Sequence, residues 1–267
     1  MDKFTYFWCL MTVAATIFLM GAYKNVFLKL YFIAWINRIN QVKERPEGTE
    51  QVKVRPEFNT VVSEALFQDR IKTRSKFLWS RHFMIFSGFM VLFAFDCAYT
   101  VFGHYAHHYF DYSFFVDGPG RAFLKVGLEA SGLLLLVGLT LGIIHRLFYS
   151  VQERSRIDLK LLILLWVVTL TGFLTEAFRL AATPADPFAA YSFIAVNIAR
   201  MLGDVGVPLN GIGAKMWIFH ATVSVGFIAY IPFSKLVHIM CAPIGRSVTQ
   251  NRNYGGLKRE RITEELL

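Results

Sequence analysis

Residues 217–243 read WIFHATVSVGFIAYIPFSKLVHIMCAP. A bilayer-spanning helix needs about 20 mainly apolar residues, and this stretch supplies them. Yet it carries two histidines, His220 and His238. Ionisable side chains at membrane depth are costly and usually face protein. A polar group left without a partner in an apolar medium costs on the order of several kcal/mol. Both imidazoles therefore need partners. Their spacing is about five helical turns, so they share one face and stand about 27 Å apart along the axis. One face and two depths suit two separate sites. They do not suit a single metal ion, whose ligands must all lie within bonding distance.

The rest of the chain has the same character. Of its 267 residues 55% are hydrophobic, and the mean hydropathy is +0.43. A soluble domain of this length is not so apolar throughout. Five stretches qualify as spans: Phe4–Trp35, Trp79–Val101, Phe123–Tyr149, Asp158–Ala182 and Gly211–Ile239. The expected fold is an all-α membrane protein, a single five-helix domain over residues 1–267. The first span reads as retained. It lacks a basic start and a small-residue cleavage site, and it is too long for a signal peptide.

The net charge is +9, and its distribution sets the orientation. Residues 37–78 form the longest polar stretch, with Arg38, Lys43, Arg45, Lys53, Arg55, Arg70, Lys72, Arg74 and Lys76. The third connection adds Arg146, Arg154, Arg156 and Lys160, and the tail Arg246, Arg252, Lys258, Arg259 and Arg261. The other two connections hold only Arg121 and Arg200. Lys and Arg collect on the cytoplasmic side. The N-terminus is therefore expected outside and the C-terminus in the cytoplasm, a parity that five spans satisfy. The chain is expected in the cytoplasmic (inner) membrane.

Within the long loop, residues 59–77 read as helical, with Val61, Val62, Ala65, Leu66 and Ile71 on one side. This segment and the basic tail are the expected docking surface for a partner. The outer stretch from Phe102 is aromatic, as residues at the headgroup level are, and "DGPGR" is a turn signal. The second outer loop is expected to contain a short interfacial helix at Ala189–Met201. Cys9, Cys97 and Cys241 are far apart, without a CxxC motif. They read as small packing residues, and neither an iron–sulfur cluster nor a zinc site is expected within the chain.

In this orientation His82, His145 and His238 fall at the cytoplasmic side. His220 lies nearer the outer face, with His104, His107 and His108 beyond the second span. By depth, His82 can meet His238, and His104 is the nearest candidate for His220. Three readings fit: bis-histidine haem b at two depths, histidines hydrogen-bonded between helices, or a proton or ion pathway. Gly88, Gly127, Ser131, Gly132, Gly138 and Gly226 either make room for a planar cofactor or let helices pack closely.

The motifs around these histidines carry a resemblance. "FHATVSVGFIAYIPFSKLVHIMCAP" resembles the last helix of the nitrate reductase gamma-type cytochrome b superfamily. "RHFMIFSGFMVLFAFD" and "DLKLLILLWVVTLTGFLTEAFRLA", above all "TGFLTEAFR" at Thr171–Arg179, resemble one branch of it. That branch holds the membrane subunits of heterodisulfide reductase and of sulfate-reducer redox complexes. The resemblance implies two haems b, exchange with a quinone or methanophenazine pool, and a separate iron–sulfur subunit. His238 and His82 match the inner ligands, and His220 the outer ligand on the last helix. At the fourth ligand position this chain has Leu92, so His104 would have to replace it, or His145 would compete with His82.

Arg121, Lys125, Glu129, Glu176, Arg179 and Lys215 fall in the outer parts of their spans. A quinone site needs a proton route, for which Glu129 and Glu176 are the candidates, and haem propionates want Arg or Lys. Ion pairs such as Glu176 with Arg179 are the plainer alternative. Arg81 beside His82 either neutralises an inner propionate or anchors its helix. The expectation is a dihaem b subunit, quinone-reactive with menaquinone as the expected quinone, bound to a cytoplasmic iron–sulfur subunit. The rival is a transporter or scaffold subunit with structural or proton-relay histidines.

Overall fold

A computed structural model describes residues 3–28, 75–148, 156–183, 185–204, 206 and 209–234, the side chains of Lys3, Phe4, Val26, His104, Arg156, Ile157, Asp158, Leu209 and Asn210 excepted. His238, the basic tail, Cys241 and nearly all of the 37–78 loop lie outside the described residues. All regular structure among the described residues is helical. Helix α1, Lys3–Ala22, continues into a π-helical turn at Tyr23–Phe27. Helix α2, Lys76–Ala98, continues through π-helical Tyr99–Ala106 into α3, His107–Phe110. Then come α4, Pro119–Phe148, and α5, Arg156–Ala182. A 3-10 turn at Ala189–Tyr191 leads to α6, Ala195–Asp204. Helix α7, Leu209–Tyr230, ends in a 3-10 turn at Ile231–Phe233. Five helices are long and apolar enough to cross a membrane.

The second span outruns its sequence expectation, which ends it near Val101 with an aromatic loop beyond. Instead the helix runs without a break to Phe110. No proline interrupts it, and Gly103 alone costs only about 1 kcal/mol in a helix. The stop is Asp111, whose left-handed φ of 52° turns the chain. His107 and His108 are thus helical. The far end of the turn is tied by Ser113, whose carbonyl accepts from the N–H groups of Val116 and Asp117 at 3.0 and 2.9 Å. Pro119 then opens α4 at a position where its missing N–H is no loss. At the other end of α2, the Ser75 hydroxyl accepts from Leu78 N–H.

The chain divides into two compact units. In the first, Gly21 of α1 faces the Phe233 ring and Pro232, where a β-carbon would clash. The second, Ile71–Ser224, holds the candidate site. There α2 and α4 run antiparallel and pack through glycine. A β-carbon on Gly88 would stand 2.7 Å from the Leu135 backbone nitrogen, and one on Gly138 2.9 Å from Met84 Cβ. A β-carbon on Gly127 would run into the Phe95 ring. Small residues let membrane helices approach closely where lipid offers no hydrophobic drive. These three glycines therefore serve helix packing, with Leu135 and Leu139 fully buried between them. Gly132 faces the Phe173 ring of α5, while Gly226 has nothing within 4 Å.

The short interfacial helix expected at Ala189–Met201 is present as the 3-10 turn and α6. Its apolar side, with Ala195 and Ala199, closes a small core against Ala177 and Leu180 of α5. Cys9 and Cys97 are exposed rather than packed. Cys9 lies on a sparsely covered apolar helix, and the π-helical turns begin just beyond Cys97.

Candidate functional site

Among the described residues of the second unit, two groups of polar side chains bear on the candidate site. The first surrounds His220. On α7, the His220 Nδ1 stands 2.9 Å from the Thr171 hydroxyl of α5. That hydroxyl already donates to the Val167 carbonyl at 2.8 Å. Ser224, one turn along α7, approaches the ring nitrogens only at 3.4 and 3.5 Å. Gly172 gives the ring room: a β-carbon there would lie 3.3 Å from Cε1 and 3.8 Å from Nε2. Thr171 sits near the middle of the Leu159–Ala182 span. His220, half-buried, therefore lies level with the middle of that helix.

The second group lies about five residues further along α5, roughly 7.5 Å at the helical rise. It ties the 183–194 connector onto α4 and α5. Arg179 grips Glu176 with two bonds, Nε to Oε2 and Nη2 to Oε1, both 2.7 Å. Lys125 Nζ reaches Glu176 at 2.9 Å and the Ser192 hydroxyl at 3.3 Å. Asp186, only 4% exposed, accepts from Arg121 at 2.9 Å and Arg179 at 3.0 Å. Its other oxygen accepts from Phe188 N–H at 2.9 Å. Burial opposes ionisation of Asp186. The Phe188 N–H, Arg179, Lys125 and Arg121 outweigh it, and the carboxyl is held below the usual carboxylate range.

Glu129 of α4 does a different job. Its carboxylate accepts from Ile194 N–H at 2.8 Å and Ala195 N–H at 3.4 Å. These are orphan donors at the start of α6, so Glu129 caps that helix from another element. An anion there also complements the helix dipole.

Of the candidates read from sequence, Glu129, Glu176, Arg179 and Arg121 come together with Lys125 at one end of the unit, and the Glu176–Arg179 ion pair is present. Lys215 is exposed and stands outside that network. Arg81 lays its stem over Gly142, its Cδ 3.8 Å from where a β-carbon there would be. His145 lies beside Phe77, ring centroids 5.7 Å apart. His238 lies outside the described residues, as does the side chain of His104. Sequence reasoning missed Thr171, Gly172, Ser192 and Asp186. Thr171 and Gly172 open the motif "TGFLTEAFR", which carried the resemblance without assigning them a role, and Asp186 had a signal as an Asp between two prolines in "PADPF", where such a residue bonds its own backbone two residues on.

Helix register gives the relative depths. Gly88 meets Leu135, Gly132 meets Phe173, and Gly172 meets His220. Followed across the helices, the level of His220 falls on α2 near Phe89–Leu92. His82 lies about eight residues from that level, roughly 12 Å. His104 lies about thirteen residues beyond it on the other side, roughly 20 Å. The π-helical turns shorten that separation without closing it. Pairing His104 with His220 by depth rests on span limits read from hydropathy, which do not fix register.

A haem b needs an imidazole with a free ring nitrogen and space beside it. On His220, Thr171 engages Nδ1, while among the described residues Nε2 has only the Ser224 hydroxyl near it, at 3.5 Å. The ring itself packs on Gly172, and Nε2 is the nitrogen left to meet such a group.

The chain is 29% identical over 194 residues to a subunit of the dihydromethanophenazine:CoB--CoM heterodisulfide reductase of Methanosarcina thermophila, covering 71% of this chain and 65% of that protein. It is also 29% identical to the corresponding subunits from Methanosarcina acetivorans, over 202 residues, and Methanosarcina barkeri, over 188. The matched region spans about 65% of the length of these relatives. Residues 68–253 match the nitrate reductase gamma subunit profile, well over half of the chain. The chain is thus a multi-pass protein of the cytoplasmic membrane, and it belongs to the nitrate reductase gamma subunit family.

Proposed function

We propose that this chain is a dihaem b membrane subunit of a respiratory redox complex. It transfers electrons between a membrane quinone pool, menaquinone as the expected carrier, and a cytoplasmic iron–sulfur partner subunit. The observation that carries the reading is His220, held by Thr171 beside Gly172 in the middle of an apolar span, in a chain of this family. The relatives' name, a reductase subunit for dihydromethanophenazine, supports a lipid-soluble electron donor or acceptor.

Haem b, when bound, supplies a one-electron iron couple. Its ligands from this chain are His82 and His238 at the cytoplasmic level and His220 at the second level. The register weighs against His104 as the partner of His220, and His145 is the alternative to His82. Arg81 is the cation for a propionate at the cytoplasmic level. Arg121 and Arg179 serve propionates or a quinone at the other. Lys215, exposed, has the freedom to join them. Accepting a proton from a quinol obliges a carboxylate to release a partner. Glu176 has three side-chain donors, Lys125, Arg179 and Ser192. Glu129 has two backbone donors, so it is the more easily freed. The partner subunit docks through the Val61–Lys76 segment and the tail, and the orientation is N-outside.

One observation favours the rival reading. The His220–Thr171 bond is also what a structural histidine would make between helices, in a scaffold or transporter subunit. Pyridine haemochrome on the purified chain separates the two. Two haems b per chain, falling to one in His238→Ala, supports the proposal. A colourless protein, or haem content unchanged in both His238→Ala and His220→Ala, overturns it.

A further inference from the structure

We infer that Thr171 is a positioning residue for His220: its hydroxyl fixes the imidazole as the Nδ1–H tautomer and so presents Nε2 as the metal-binding nitrogen. The inference rests on the haem reading of His220.

The tautomer follows from a count of protons. A threonine hydroxyl has one proton and two lone pairs. Thr171 spends its proton on the Val167 carbonyl at 2.8 Å, with Val168 at 3.0 Å sharing it. That back-bond is the usual way a threonine in a helix satisfies itself. Thr169 and Thr175 make the same bond to Leu165 and Thr171. What distinguishes Thr171 is that its remaining lone pair meets a ring nitrogen at 2.9 Å. With that proton kept on the carbonyl, the oxygen accepts at Nδ1, which then carries hydrogen, and Nε2 keeps the lone pair.

Nε2 is then the group without a good partner. Among the described residues only the Ser224 hydroxyl comes near it, at 3.5 Å, the limit of a hydrogen bond. A structural histidine in an apolar span would have both nitrogens satisfied. This one has a firm bond at Nδ1 and only a 3.5 Å contact at Nε2. That division is what metal-ligating histidines show, one nitrogen on the metal and the other donating to a fixed acceptor. A hydroxyl is a weaker acceptor than a carboxylate, and its own back-bond to Val167 polarises it.

The consequence is measurable at the metal. Donation from Nδ1–H to Thr171 makes Nε2 more electron-rich and favours ferric over ferrous iron. Outer-shell partners of this kind are worth about 10–100-fold in metal affinity. A tenfold loss of the ferric preference raises a one-electron midpoint by about 59 mV.

The test compares Thr171→Val and Thr171→Ala, which lack the hydroxyl, with Thr171→Ser, which keeps it. The readouts are redox titration of each haem and the low-temperature EPR signal of the ferric form in the detergent-purified protein. His220→Ala is made alongside. The expected result is a raised midpoint and altered ferric signal for one haem in both Val and Ala, restored in Ser, with the other haem unmoved. If Val fails to accumulate, Ala against Ser makes the same comparison. If His220→Ala loses a haem but Val and Ala leave every midpoint unchanged, or Ser shifts as much as they do, the role of Thr171 is overturned and the haem reading stands. If His220→Ala loses no haem, the ligand reading itself falls, and with it this inference.

Discussion

Replacing Asp186 with Asn removes one charge where the connector is fastened to α4 and α5. The carboxylate accepts from Arg121, Arg179 and Phe188 N–H. Asn keeps an acceptor for the Phe188 N–H but cannot neutralise the two guanidinium groups. Breaking a fully buried pair costs about 3–5 kcal/mol, and an exposed one about 0–1 kcal/mol. Asp186 is 4% exposed, but Arg121 and Arg179 are 26% and 41% exposed and recover part of their hydration. The expected cost is therefore about 2 kcal/mol, or roughly 4–8 °C in Tm for a chain of this size. The pH dependence gives a second handle. The folded carboxyl is held below its ordinary value of about 3.9. Its contribution is thus complete above about pH 4 and is lost as pH falls through the depressed value. Thermal unfolding in lipid nanodiscs from pH 3 to 7 measures both. The wild type should lose its advantage over Asp186→Asn on the acid side only. Equal Tm values at pH 7, or a gap that widens as the pH falls, refute the assignment of Asp186 as the anionic anchor.

Gly88→Val places side-chain atoms where only 2.7 Å separates a β-carbon from the Leu135 backbone; overpacking of this kind costs about 1–3 kcal/mol, and a lowered Tm with reduced yield is expected. Glu129→Ala leaves the first N–H groups of α6 without their acceptor, which should cost about 1 kcal/mol, by analogy with loss of an N-cap; hydrogen exchange at 194–197 should quicken while the rest of α4 is unchanged. His104→Ala should retain the full haem complement, because its level is roughly 20 Å from that of His220; loss of a haem would show that the α2–α7 register does not hold in the assembled protein. Cysteine labelling should find Thr49→Cys and Asn253→Cys reactive only from the cytoplasmic side, and labelling of both from outside would reverse the orientation.

Much of this molecule was legible as a string. Each span must satisfy its backbone internally and bury no water, so length and hydropathy alone mark it as a membrane helix. The two histidines in the last span announced a site because an imidazole is too polar to leave in that layer. The cluster of Arg121, Lys125, Glu129, Glu176 and Arg179 was visible as charges at one end of their spans. Its partners were not: Asp186 and Ser192 sit in a connector whose folding back depends on those charges. Nor could the sequence say which glycines make room for a cofactor. Gly88, Gly127 and Gly138 proved to be filled by the neighbouring helix, because a missing side chain invites whichever surface arrives closest.

Depth is where the two kinds of information part. The sequence by itself determined that the protein lives in a membrane, how many times it crosses and which residues are too polar to be idle there. It could not determine register, because hydropathy is flat along a span and lets a helix slide by several residues at little cost. Register is fixed by contacts: Gly88 on Leu135, Gly132 on Phe173, Gly172 on His220. Only that chain of contacts sets His220 level with Phe89–Leu92 and leaves His104 far beyond. Likewise, only the approach of α5 to α7 turns Thr171 from one more threonine bonded to its own helix into the group that fixes a histidine's tautomer.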